Sequence, residues 1–251
     1  MPLAHDARLT LAHTLTARFI ARRRTVLAGL YGSTARNTDT PWSDLELFFV
    51  VEDGEQTTSI DGLYCGTAVG AQVHTVGSLE HLIAHPDGRW PMMMGILSTM
   101  TVLEGDPGAI DHWLELARQV PADAFRASLA RLAPALVFES CGRIQSCAAR
   151  ENRSDLGAAV LETLLEMGTA LCLLNRSWAE HDYYAGLNDT LAFPLLPRDY
   201  ALLAPALWHA ADPAVASALA ECLLANYVEL LAQQGIDLLD WAHIPADEWA
   251  I

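Results

Sequence analysis

The 251 residues suffice for one large domain or two modest ones with a full core. With 52% of the chain apolar and only 18% charged, a disordered chain is excluded. Thirty-one acidic residues against fifteen basic ones leave a net charge of -16, a field that repels nucleic acid and attracts polycations.

Residues 7–24 carry apolar side chains near helical spacing (Leu9, Leu11, Leu15, Phe19, Ile20). Arg22 to Arg24 suit the last turn of that helix. "TVLAGLYG" predicts a first strand, "LELFFVVED" a second and "TAVGAQVHTVG" a third. "TMTVLEGD" predicts a fourth, stopped by Gly105-Asp106-Pro107. From about Pro121 the texture changes to long Ala/Leu-rich helical patterns. "DAFRASLARLAPALVFESCGRIQSCAARE" reads as one helix, and "AVASALAECLLANYVELLAQQG" as another with Gly235 as its C-cap. "DLGAAVLETLLEMGTALCLLNR" puts Leu156, Val160, Leu164, Met167, Leu171 and Leu174 on one stripe, a pattern of core packing. The expectation is an α/β domain over 1–121 followed by a helical domain over 122–251.

No apolar run is expected to reach the ~20 residues of a membrane span. The N-terminus lacks the basic-then-apolar order of a signal peptide, so no membrane partner and a cytoplasmic location are expected. Cys65, Cys141, Cys147, Cys172 and Cys222 are odd in number and form no C-x-x-C pair. They suggest reduced thiols, with neither a disulfide framework nor a zinc site.

The chemistry concentrates in "YGSTARNTDTPWSDLELFFVVED". Side chains two apart on a strand share a face, so Asp44 and Glu46 project together while Leu45 and Leu47 turn to the core. Adjacent carboxylates repel unless a cation lies between them, and a hard divalent ion such as magnesium, which keeps phosphate oxygens in its shell, suits the pair. Upstream, the Gly32-Ser33 turn offers amides and a hydroxyl to a phosphate, and Arg36 adds a guanidinium fork. The chain has no lysine, so Schiff-base and P-loop lysine chemistry are excluded and phosphate contacts fall to arginines and backbone amides.

In this order (strand, G-S, loop, S-D-x-E, apolar strand), the segment resembles the signature of the polymerase-β-like nucleotidyltransferase superfamily. More closely, it resembles the kanamycin nucleotidyltransferase family, the aminoglycoside 4'-O-nucleotidyltransferases. That family's Y-G-S-x-x-R-x-T-D-x-P-[aromatic]-S-D-x-E run is met by Tyr31, Gly32, Ser33, Arg36, Thr38, Asp39, Pro41, Trp42, Ser43, Asp44 and Glu46. The resemblance implies an α+β fold, with a mixed sheet flanked by helices ahead of a helical bundle. It implies Asp44 and Glu46 as magnesium ligands, and Gly32, Ser33, Arg36, Thr38 and Ser43 around ATP. It further implies AMP transfer to the 4'-hydroxyl of kanamycin- or tobramycin-like drugs, with release of pyrophosphate and resistance as the outcome. Such enzymes are homodimers with a site shared between subunits. An acidic cleft would suit the polycationic drug, with Glu52, Asp53, Glu55 and Asp61 as candidate lining.

The family's base is a glutamate four residues before a basic residue on the first long helix of the helical half. Glu139 and Arg143 in "LVFESCGRIQS" fit, and the flank Leu136-Val137-Phe138 suggests partial burial. Glu139 would take the proton of the attacking hydroxyl, and Arg143 would offset charge at the phosphates. The chain departs from the family in three places. Arg143 replaces a lysine, His74 aligns with a glutamate of the third strand, and a second family lysine falls near Ala192. Arg176 and Arg198 remain as basic residues for the triphosphate. Two rival readings are a superfamily member that modifies a protein and a non-catalytic, antitoxin-like partner protein. Retention of Asp44, Glu46 and Glu139 weighs against the latter.

Overall fold

A computed structural model describes residues 3–181 and 183–238, so the tail of the expected helical domain, 239–251, lies outside the described residues. The chain divides into two compact units. One comprises Met1–His85 with Met92–Val120, the other Pro86–Pro91 with Pro121–Ile251.

The first unit runs α1 (His5–Ile20), β1 (Thr25–Tyr31), a single helical turn α2 (Gly32–Ala35), β2 (Leu45–Val51), β3 (Thr58–Tyr64), β4 (Thr67–Thr75), α3 (Val76–Ala84), α4 (Trp90–Thr99), β5 (Thr101–Gly105) and α5 (Gly108–Gln119). The strands lie in the order β3-β4-β2-β1-β5. β2 and β4 are parallel and the other neighbours antiparallel, so the sheet is mixed, as expected. β2 is its buried spine: Leu45, Leu47, Phe48, Phe49, Val50 and Val51 are all buried, which is why it reads as a continuous apolar run. α1 sets Leu11 and Ala12 against Leu30, Leu45, Leu47, Phe49, Ala71 and Val73, and Phe19 stacks on Phe49 at 3.9 Å. That face is the core. The opposite face of the same strands carries Tyr31, Glu46, Phe48, Gln72 and His74.

Two sequence expectations need correction here. Five strands form, not four, because β3 is exposed along its whole length and gives no alternation to detect. It joins β4 through Cys65-Gly66, both at positive φ (49° and 81°), the two-residue turn that matches strand twist. The arginine triplet falls beyond α1, which ends at Ile20. Arg23 and Arg24 instead pair with Glu55 and Glu52. Helices α3, α4 and α5 fill the stretches that carried no expectation.

The second unit contains α6 (Ala122–Ala133), a π-helical turn (Pro134–Glu139), α7 (Ser140–Ala149), α8 (Leu156–Asn175), α9 (Tyr183–Thr190), α10 (Tyr200–Trp208) and α11 (Pro213–Gln233). The single helix expected over this first stretch is therefore interrupted. Pro134 lacks an N–H and crowds the preceding turn, and the chain widens to i→i+5 bonding for six residues before resuming. Asp212 caps α11 by accepting from Ala214 and Val215 N–H, and Gly235 closes it at φ 64°. α8 and α11, at 20 and 21 residues with mean hydropathy 1.5, are long and apolar enough to cross a membrane by length and composition. The expectation that no run reaches that length is corrected accordingly. Both helices bury an apolar stripe in this unit, Met167 and Leu171 on α8, Leu223 and Tyr227 on α11.

Candidate active site

Tyr31 ends β1, and Gly32 turns the chain at φ 72° into α2. A Cβ on Gly32 would run into the Glu46 carboxylate, so glycine is required for backbone shape and for close approach alike. The following loop closes on itself. Arg36 N–H donates to the Gly32 carbonyl (3.2 Å), and Thr38 donates to the Ser33 carbonyl through N–H (3.0 Å) and hydroxyl (3.4 Å). Ser43 Oγ accepts from Thr40 N–H at 3.0 Å. The Thr38 and Ser43 hydroxyls thus shape the loop, while the Gly32-Ser33 turn stands directly against an acid.

Asp44 is exposed and immediately precedes β2, whereas Glu46 is half-buried within it and pairs in register with Tyr31. The row continues through Gly70 on β4 to Asp61 on β3. A Cβ on Gly70 would lie 3.4 Å from Asp61 Oδ1, so Asp61 leans across the space that the glycine leaves. The Tyr31 hydroxyl accepts from Gln72 Nε2 at 3.1 Å. Burial, and after it the charges of Glu46, Asp44 and Asp61, push the Tyr31 pKa up to about 12. One phenol therefore feels three carboxylates, and strand register sets the face of two of them, Glu46 and Asp61.

Among the described residues no group of three or more His, Cys, Asp or Glu side chains is placed to hold a metal ion. Asp44 and Glu46 remain as an all-oxygen pair. That donor set fits magnesium, which takes one or two protein carboxylates and completes its shell with water and phosphate. His74 lies over Phe48 at 5.3 Å, tilted 21°, in a packing position. Of the four acids expected to line a cleft, three are engaged elsewhere. Glu52 and Glu55 pair with Arg24 and Arg23, and Asp53 accepts from Gly77 N–H at 2.9 Å. Asp61 alone joins the row.

In the second unit the π-helical turn ends on Glu139. Arg143 donates to Glu139 Oε1 at 2.8 Å and also to Glu162 Oε1 on α8. The expected pair forms, but the guanidinium is shared between two acids, and both raise its pKa. The Glu139 side chain is 61% exposed, contrary to the partial burial its apolar flank suggested, because only Val137 of that flank turns inward. Glu166, on the same face of α8, has its pKa raised by burial and by Glu162, with Arg143 opposing. Glu162, nineteen residues from Arg143, left no local sequence signal. Arg198 is tied to Asn226 at 2.9 Å and to Glu229 at 3.5 Å, and Arg176 is exposed at the end of α8.

A glycine turn pressed on one of two acids across a mixed sheet is the arrangement that the resemblance to nucleotidyltransferases implies. No protein-family model matches the chain. It is 22% identical over 143 residues to a Staphylococcus aureus protein, "Aminoglycoside nucleotidyltransferase (4')". The match covers 56% of each, so the chain spans about half the length of that relative. A solved structure of a nucleotidyltransferase-like protein from Exiguobacterium sibiricum aligns over 89% of this chain and 74% of that one, with 13% identity and a TM-score of 0.48. On sequence, the chain is a distant relative of a nucleotidyltransferase.

Proposed function

We propose that this chain is an adenylyltransferase that moves AMP from ATP to the 4'-hydroxyl of a kanamycin- or tobramycin-like aminoglycoside and releases pyrophosphate. The observation that carries the reading is the Glu46 carboxylate seated on Gly32, which brings the phosphate-cradling turn and the acid pair together. The name of the staphylococcal relative supports the substrate class, and the net charge of -16 suits a polycationic acceptor.

In this reading the Gly32 and Ser33 amides and the Arg36 guanidinium hold the phosphate tail. Asp44 and Glu46 would hold magnesium, which when bound neutralises phosphate charge. Glu139 takes the proton of the attacking hydroxyl and Arg143 offsets charge on the phosphates. Transfer is a single in-line displacement. The hydroxyl oxygen bonds to the α-phosphorus, the bond to the bridging oxygen breaks, and pyrophosphate leaves with that electron pair. The resemblance has Glu139 serving a nucleotide held by a second copy of the chain, so a homodimer belongs to the proposal, as does a cytoplasmic setting.

Purified protein with ATP labelled at the α-phosphate, magnesium and kanamycin tests the reading. Label is expected on the drug. Label confined to a protein from added lysate, or none transferred, overturns the aminoglycoside assignment.

A further inference from the structure

The loop between the glycine turn and the acid pair contains three residues that the proposed chemistry leaves unused: Asp39, Pro41 and Trp42. Their surroundings give the first two a role. Arg8, on α1, is 1% exposed and reaches under this loop. Its Nη1 donates to Asp39 Oδ2 at 2.7 Å, and its Nη2 donates to the carbonyls of Pro41 (3.1 Å) and Ser43 (2.9 Å). His5 Nδ1 lies 2.6 Å from the other Asp39 oxygen, and the Asp39 side chain is 2% exposed. Burial alone would raise the Asp39 pKa, but the hydrogen bonds from His5 and Arg8 outweigh it and hold the carboxyl below its ordinary value.

A buried arginine with a buried aspartate is a poor way to gain stability, because desolvation of both charges offsets their attraction. What it gains here is geometry. The Ser43 carbonyl belongs to the peptide that joins Ser43 to Asp44, so the guanidinium fixes the plane from which Asp44 departs. Thr34 Oγ1 donates to the Asp44 carbonyl at 3.5 Å on the other side. Glu46 needs no such help, since β2 and Gly32 define its place. Asp44 lies outside the strand, and its direction depends on this anchor.

We propose that Arg8, seated on Asp39, is a positioning residue that keeps the Asp44 carboxylate beside Glu46 for divalent-cation binding. The inference rests on the reading of Asp44 and Glu46 as a cation-binding pair. It places in one device a residue from the N-terminal helix and the T-D-x-P segment of the motif.

The test uses Mn2+ as probe, titrated into the full chain without nucleotide and followed by the resonance of free Mn2+, alongside thermal melts. Arg8→Lys retains charge but cannot serve a carboxylate and two carbonyls from a planar fork. Arg8→Met with Asp39→Leu removes both buried charges together, and its melting temperature is expected near wild type. In both variants the Mn2+ dissociation constant is expected to rise about tenfold or more. A folded double variant that binds Mn2+ within about twofold of wild type overturns the proposal, and Arg8→Lys decides by the same criterion if the double variant does not fold. Asp44→Asn with Glu46→Gln separates the two levels. If Mn2+ binding survives that change, the cation-pair reading falls and the positioning role with it. If binding is lost there yet kept in the Arg8 variants, only the positioning role falls.

Discussion

Gly32→Ala isolates the contact on which the proposed chemistry depends. A non-glycine residue at φ 72° strains the backbone by about 1–2 kcal/mol. The added methyl falls on Glu46 Oε2, the far end of a flexible side chain and not backbone, so the overlap can be relieved by rotating Glu46 away from the turn without moving β2. The stability loss should therefore stop near the backbone strain. At about 2–4 °C per kcal/mol for a chain of this size, the melting temperature should fall by about 2–8 °C. Function should fall far more, because displacing one reacting group by an ångström costs about a hundredfold. Calorimetry gives the first quantity; pyrophosphate release with kanamycin and Mn2+ binding give the second. A melting temperature lowered within that range, with rate and Mn2+ affinity unchanged, would remove Glu46 from the site. A much larger thermal loss would mean that Glu46 cannot yield and that Gly32 is a packing residue.

Glu139→Gln should lower kcat by about a hundredfold or more while leaving the KM for ATP nearly unchanged. A variant with normal kcat and raised KM would move Glu139 out of the base role. Gly105→Ala should destabilise by about 2–3 kcal/mol in urea unfolding: the residue sits at φ 100°, and its new Cβ meets the Val26 carbonyl oxygen at 2.5 Å, a backbone atom of β1 next to Leu27, the register partner of Gly105. Full stability there would refute the strand register. Alkaline pH should destabilise the fold. Burial raises Tyr31 and Tyr200 to about 12 from 10.0, and Cys141 and Cys172 to about 11 and 12 from 9.0. The folded chain keeps these protons longer than the unfolded one, so this stability is full below about pH 9 and declines as pH rises through 12. Urea midpoints flat from pH 8 to 11 would contradict that burial.

What the sequence reveals follows from how local each signal is. The glycine turn, the two acids and the buried strand behind them lie within twenty residues, and strand periodicity alone puts Glu46 on the face opposite Leu45 and Leu47. The Glu139–Arg143 pair is equally local, one helical turn apart. Arg8 and Asp39 are 31 residues apart in sequence, and Glu162 lies 19 beyond Arg143, so neither partnership has a spacing to detect. β3 stays hidden for a different reason. A strand exposed on all its residues has no apolar rhythm, and only the Cys65-Gly66 turn betrays it. The three acids tied to Arg23, Arg24 and Gly77 show the converse error, in which residue type suggested a lining and local partners decided otherwise.

The wide turn from Pro134 to Glu139 holds one residue more than a regular helix would place there. Excising a single residue from it would return the turn to ordinary helical pitch everywhere except at Pro134, which has no N–H to donate. The residues of α6 would then swing by about 100° about the axis relative to Glu139. The extra residue therefore sets the angle at which the Glu139 side chain leaves the axis of α6.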